Sequence, residues 1–290
     1  SYCPSPKSGK EAVAGTFLCY TCLAIAPRLV RESRVSAEMK IRFIGHSGFY
    51  VELEEMNLLF DYYRGELPEI DRSKPLFVFV SHAHPDHFQR DIFSLAEKAD
   101  NVVYFLSDDI RRSALPLQIQ ECVRLLAPET ETEICRLVQD ETGRELRQEV
   151  FLTVNTYRST DEGVAFLIDC DEARIYHAGD LNDWHWEENT EAENNVQRTL
   201  YLEELRELRA EVERSGRVPD IAFVPVDSRL GEGYWRGADA YMREVGARYL
   251  IPMHLYGDTT VIRKLRERSE ARDYRDQILG TGEEGEVFSL

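Results

Sequence analysis

Residues 75–88 read "PLFVFVSHAHPDHF". The first six residues, Pro75 to Val80, form a continuous apolar run, which predicts a strand covered on both faces. Three of the chain's seven histidines follow at once, His82, His84 and His87, with Asp86 between the last two. Imidazole and carboxylate are the nitrogen and oxygen donors that borderline divalent metals prefer. In an extended turn, residues two apart point the same way, so His82 and His84 can grip one ion. Pro85 fixes and turns the backbone, and Asp86 and His87 can then point to a second ion. A lone histidine would be read as a packed residue satisfied by ordinary hydrogen bonds. Three with an aspartate, straight after a buried strand, predict a metal loop at the strand's C-terminal end.

The elements around this loop alternate by type. Upstream, "KIRFIG" (Lys40–Gly45), "FYVEL" (Phe49–Leu53) and "NLLFD" (Asn57–Asp61) predict three short antiparallel strands at hairpin distances. Downstream, "DIFSLAEKA" (Asp91–Ala99) has helical spacing and "NVVYFL" (Asn101–Leu106) reads as a strand. The charged stretch 107–148 suggests helical segments at Asp108–Arg112 and Thr132–Asp140. A second run of strands covers Val150–Tyr157, Gly163–Asp169 and Ala173–Gly179. A long helix is expected over Thr190–Arg214, on an apolar stripe of Val196, Leu200, Leu205, Leu208 and Val212. Strands at Ile221–Val226 and Tyr249–His254 and helices near Gly237–Val245 and Thr259–Arg272 complete the chain. Each half carries strands first and helices later. That order predicts an α/β fold of two stacked sheets with helices outside, an αββα sandwich, within one domain.

Composition narrows the function. The 290 residues are 43% hydrophobic, enough for a sizeable core. With 53 acidic against 35 basic residues, the net charge is −18. Such a balance disfavours nucleic acid and anionic membrane surfaces as the main partner, and leaves a small-molecule substrate. The six cysteines show no regular spacing, and Cys19-x-x-Cys22 has no second pair to complete a four-cysteine site. Scattered, reduced thiols fit a cytoplasmic protein. No apolar run reaches the roughly 18 residues that span a bilayer. The stretch Ala12–Pro27 does resemble a signal-peptide core, with Lys7 and Lys10 before it. Residues 1–38 are therefore expected to form an extension outside the domain, as a helix, a processed leader or a mis-assigned start. The domain itself is expected over 39–290.

The pattern His82-x-His84-x-Asp86-His87 resembles the HxHxDH signature of the metallo-β-lactamase superfamily, whose fold is the αββα sandwich. The resemblance runs from about Met39 to the C-terminus. It implies that Asp61 stands behind the metal loop. It implies too that Asp180, in "HAGD" (His177–Asp180), bridges the ions and that His254, in "IPMH" (Ile251–His254), is the last histidine. "GHSGF" (Gly45–Phe49) is similar to the early segment of the lactonase-like and phospholipase-D-like branches. One departure stands out. The family's further metal histidine belongs in "TYRSTDEGVAF" (Thr156–Phe166), which has none. His185, between Trp184 and Trp186, and Asp161 are the candidate replacements, while His46 and His177 are expected to orient ligands. One or two ions are then expected, Zn²⁺ by the histidine content, with Mn²⁺ or Fe as alternatives. The implied activity is hydrolysis of a small ester or lactone by metal-activated water, with Asp86 orienting the nucleophile. The alternatives are a phosphodiesterase for a small phosphodiester and a non-catalytic metal-binding protein. Arg158, Trp184, Arg229 and Tyr256 are the candidates for holding substrate.

Overall fold

The structure, a computed structural model, describes residues 19–22, 38–139 and 146–290. In chain order the strands are β1 (Cys19–Cys22), β2 (Lys40–Gly45), β3 (Gly48–Glu52), β4 (Asn57–Phe60), β5 (Leu76–Val80), β6 (Val102–Ser107) and β7 (Val123–Leu126). They continue with β8 (Glu131–Gln139), β9 (Leu146–Arg158), β10 (Val164–Asp169), β11 (Arg174–His177), β12 (Ile221–Pro225), β13 (Tyr249–Met253) and β14 (Val287–Ser289). One sheet has the order β14-β2-β3-β4-β5-β6-β7 and the other β1-β8-β9-β10-β11-β12-β13. Strands β4, β5, β6 and β7 run parallel, as do β11, β12 and β13. The C-terminal ends of each parallel set therefore line up at one rim of its sheet, the usual place for a site in such sheets.

The apolar run of β5 divides by the strand period of two. Phe77 and Phe79 face the space between the sheets, while Leu76, Val78 and Val80 join a separate cluster on the outer face. Between the sheets, Phe49 stacks on Phe223 at 4.0 Å and Phe79 meets Phe166 edge-on at 5.4 Å. The outer face of the second sheet is covered by α1 (Glu191–Ser215) and α2 (Arg236–Glu244), where Tyr176 stacks on Tyr241 at 5.0 Å. α1 starts on a capping box: Thr190 accepts from the Glu193 amide and the Glu193 carboxylate accepts from Thr190 N. Its buried stripe is Asn194, Tyr201, Leu205 and Leu208, whereas Val196 and Leu200 are exposed. The stripe expected from apolar residues alone is thus rotated, because Tyr201 carries its hydroxyl inward and donates to Gly237 O at 2.9 Å. The first sheet is covered instead by short 3-10 turns, chiefly Arg90–Glu97. A further helix, α3 (Thr260–Glu267), follows β13.

Two readings of 107–148 need correction. Thr132–Gln139 is strand within β8, not helix, and it pairs antiparallel with the 13-residue β9, which starts before Val150. Cross-strand pairing overrides a local pattern that fits either period. Asp108–Arg112 is a turn leading into the 3-10 segment Arg112–Ala114. Within the stretch read as an extension, Cys19–Cys22 lies parallel along β8. The rest of residues 1–37 falls outside the described residues. Among the described residues, no helix is long and apolar enough to cross a membrane.

Candidate metal centre

The metal loop begins one residue past β5. Its shape is set by backbone bonds from His87 N and Phe88 N to His84 O, at 3.0 and 2.9 Å, and by Ala83 N on Asp109 Oδ2 at 2.8 Å. Two glycines let the second sheet press against it. A Cβ on Gly163 (φ +72°) would lie 2.0 Å from Ser81 O, and one on Gly179 (φ +52°) 2.6 Å from Ser81 Cβ. Neither position admits a side chain without moving the loop.

The histidines and carboxylates expected to hold metal converge here, from three strand ends. His82, His84, Asp86 and His87 follow β5, Asp180 follows β11, and His254 follows β13. Asp180 reaches both sides: Oδ2 lies 3.5 Å from His82 Nε2, and Oδ1 lies 3.3 Å from His87 Nε2 and 3.5 Å from His254 Nε2. Ligands about 2.0–2.1 Å from a tetrahedral ion stand roughly 3.3–3.4 Å from each other, so this spacing suits a shared ion. His82 Nε2, His87 Nε2 and Asp180 Oδ1 are buried and make no hydrogen bond. Buried polar atoms without partners are costly, and a cation would satisfy all three. The donors fall into two groups, His82 with His84 and Asp180, and Asp86 with His87, His254 and His46.

Outer partners fix the ring orientations. Asp61, fully buried at the end of β4, accepts from Ser81 N (2.7 Å), Ser81 Oγ (2.6 Å) and His87 Nδ1 (2.8 Å). The Ser81 hydroxyl donates its hydrogen to Asp61, so its oxygen accepts from His82 Nδ1 at 2.9 Å. His254 Nδ1 donates to Asp227 Oδ2 at 3.0 Å. In each ring Nδ1 holds a proton toward its outer partner and Nε2 is turned inward, the arrangement that such partners impose on metal-binding histidines. Burial would raise the pKa of Asp61, yet His177 and His87 beside it hold the carboxyl well below the usual range. Burial alone would lower His87, but Asp180 and Asp61 on either side push it up to about 9. His82 is lowered to about 4 by burial and by the neighbouring His87. His177 is a spacer: its Nε2 donates to Ser47 O (2.9 Å) and its Nδ1 accepts from Gly179 N (3.1 Å).

His185 is not brought to the donors. Trp184 and Trp186 stack on each other, with Trp184 buried against His254 at 5.6 Å and its Nε1 donating to Asp180 O. Alternation along this extended segment sends His185 the other way, against Gly233. Asp161 likewise belongs to neither donor group among the described residues. In the loop that lacks a histidine, Glu162 Oε2 lies 3.4 Å from His84 Nε2. Sequence reasoning gave Glu162 no part and treated His46 only as an orienting residue. The signal for His46 was its position in a two-residue hairpin between β2 and β3, which carries its ring to the rim.

Of the four candidates for holding substrate, Arg158 turns elsewhere, with its guanidinium on Glu129 and its amide on Glu204. Trp184 lines the site beside His254. Arg229 forms a double hydrogen bond with Asp227 and lies over the Tyr256 ring at 3.5 Å. Tyr256 is half exposed, 6.0 Å from the His46 ring. These three make one wall of the rim.

UPF0173 metal-dependent hydrolases from Alkaliphilus metalliredigens and Pyrococcus furiosus are 26% and 24% identical, each over 74% of this chain and 85% and 84% of the relative. A third, from Nanoarchaeum equitans, is 43% identical over 54 residues, 19% of this chain and 22% of that relative's length. Among solved structures, the Ignicoccus hospitalis metallo hydrolase Igni18 superposes with a TM-score of 0.56 at 15% identity, covering 87% of this chain and 98% of that one. The metallo-β-lactamase fold protein YhfI from Bacillus subtilis gives 0.50 at 16% identity, covering 87% and 100%. These likenesses show the fold. The family model described as "Beta-lactamase superfamily domain" matches residues 40–198, more than half of the chain. The chain belongs to the β-lactamase superfamily and has the metallo-β-lactamase fold.

Proposed function

We propose that this chain is a metal-dependent hydrolase that cleaves a small ester or lactone. The observation that carries the reading is the convergence of His82, His87 and His254 Nε2 on Asp180, each 3.3–3.5 Å from one of its oxygens, with His82 Nε2, His87 Nε2 and Asp180 Oδ1 buried and unbonded. The names of the curated relatives, metal-dependent hydrolases, support it. When bound, divalent ions supply Lewis acidity for attack by water on an acyl carbon. The donors that would hold them are His82, His84, Asp86, His87, Asp180 and His254. Zn²⁺ suits this histidine content, and the scattered cysteines support a cytoplasmic setting. Asp86, partly exposed and itself one of these donors, orients the water. Trp184, Tyr256 and Arg229 form the wall against which a small substrate rests.

Elemental analysis of the loaded protein is the first test. Less than about half an equivalent of any transition metal would sink the reading. A panel of lactones and esters, set against bis-(p-nitrophenyl) phosphate, then separates acyl hydrolysis from the phosphodiesterase alternative. Full metal loading with no turnover of either class would point to a binding protein.

A further inference from the structure

The two donor groups are unequal, and the inequality lies in His46. His46 Nε2 is buried and stands 3.3 Å from Asp86 Oδ2. Its donor atom lies within 4.8 Å of those of Asp86, His87 and His254. The ring packs 4.1 Å from that of His254. Its backbone is left-handed, with φ 54°, a conformation that costs a histidine roughly 1–2 kcal/mol. The strain is held by a bond from His254 N to His46 O at 3.0 Å, which ties the β2–β3 hairpin to the end of β13. Left-handed backbone recurs at the rim, at Asp61, His254 and Tyr256. Strain of this kind persists where the surroundings impose it, and it gathers at functional sites.

We propose that His46 is itself a metal ligand, and that the group of His46, Asp86, His87 and His254 is therefore the tight subsite and fills first. The proposal rests on the metal-dependent reading above. The histidine absent from Thr156–Phe166 leaves the other group with His82, His84 and Asp180, and His84 is 41% exposed. Three largely buried imidazoles and a carboxylate, with Asp180 Oδ1 beside two of them, outcompete two imidazoles and a carboxylate for a borderline ion. The nitrogen lost from one subsite is thus regained at the other. Unequal loading follows, with a tight nitrogen-rich site and a weaker one in which Glu162 supplies oxygen.

The test is long-range ¹H–¹⁵N correlation of the imidazoles during a Zn²⁺ titration of the metal-free full chain. The expected result is that His46, His87 and His254 Nε2 move together with the first equivalent, and His82 and His84 only with the second. An unmoved His46, or His82 and His84 moving first, would overturn the proposal. If no imidazole responds to metal, the hydrolase reading falls as well. Chelator competition on two variants gives an independent measure. His46→Asn tolerates the left-handed backbone and is too short to ligate, so the first equivalent should weaken at least about 100-fold. His46→Gln can still hydrogen-bond Asp86. Wild-type affinity in that variant would make His46 a positioning residue and refute direct ligation.

Discussion

Replacing Asp61 by asparagine should disable metal binding without contact between Asp61 and an ion. The wild-type carboxylate is fully buried and accepts three hydrogen bonds, at 2.7 Å from Ser81 N, 2.6 Å from Ser81 Oγ and 2.8 Å from His87 Nδ1. In Asp61→Asn, Oδ1 can keep the Ser81 amide, but an NH₂ group now faces His87. Nδ1 must then accept, and the ring proton moves to Nε2, the atom 3.3 Å from Asp180 Oδ1. An ion that displaces that proton would leave the ring with none, whereas in the wild type Nδ1 keeps its proton on Asp61 when Nε2 is freed. Loss of such an outer partner weakens metal binding about 10–100-fold, which is roughly 1.4–2.8 kcal/mol. Asp61→Ala is a harsher change. It leaves three buried donors unsatisfied, at roughly 1–3 kcal/mol each, a sum comparable with the ~5–15 kcal/mol stability of a typical domain. The alanine variant should be largely unfolded. The asparagine variant should fold, with a metal-free melting temperature well above that of the alanine variant. Chelator competition for Zn²⁺, with thermal unfolding in EDTA, measures both. An asparagine variant that binds Zn²⁺ within about threefold of wild type would refute the tautomer argument.

Gly163→Ala should loosen the metal loop, because the added carbon meets Ser81 O at 2.0 Å. The left-handed backbone alone costs roughly 1–2 kcal/mol, and differential scanning fluorimetry with and without Zn²⁺ should show a smaller metal-induced stabilisation than in wild type. Arg174 is buried beside Glu211 (2.6 Å) and Asp169 (3.3 Å). Glu211 keeps Arg214 and Asp169 keeps Arg217 when Arg174 is lost, so the cost of Arg174→Ala lies mainly in the cavity left by a buried side chain, roughly 2–5 kcal/mol, read as a lowered urea midpoint; a change under about 1 kcal/mol would contradict the burial. Burial pushes the Cys170 thiol up to about 11. Its contribution to stability is complete below the ordinary thiol range near 9 and is lost as pH rises through about 11. Site-resolved alkylation at pH 8 should therefore spare Cys170, and fast modification there would show that the thiol is accessible.

The sequence carried the architecture wherever burial imposed a period. The all-apolar β5, the alternating strands and the capped α1 are all written in local pattern. The short range of that information also explains the misses. β8 reads as helix until β9 pairs with it, and the α1 stripe rotates because Tyr201 is an inward residue with a polar tip. At the site, His82, His84, Asp86 and His87 are legible because four donors sit in six residues. Asp180 and His254 are legible only through family resemblance. His46 and Glu162 come from opposite sheets; the resemblance of "GHSGF" marks the His46 hairpin without making it a ligand, the loop of Glu162 carries no motif, and only the folded geometry brings the two side chains to the rim. His185 misled because its distance along the chain from Asp180 is short, whereas stacking of Trp184 on Trp186 sets its direction.

The bond from His254 N to His46 O joins one sheet to the other, as does Val164 N to Ser81 O at 2.9 Å. Both lie at the rim that carries the donors. The sandwich is therefore buttoned at its chemical end, and parting the sheets there would break the site before opening it. Traffic of substrate and product must pass over the rim, past half-exposed Tyr256, and not through a seam between the layers. The amides of Val164 and His254 become gauges of that fastening, the slowest at this end to exchange with deuterium for as long as the two layers stay closed.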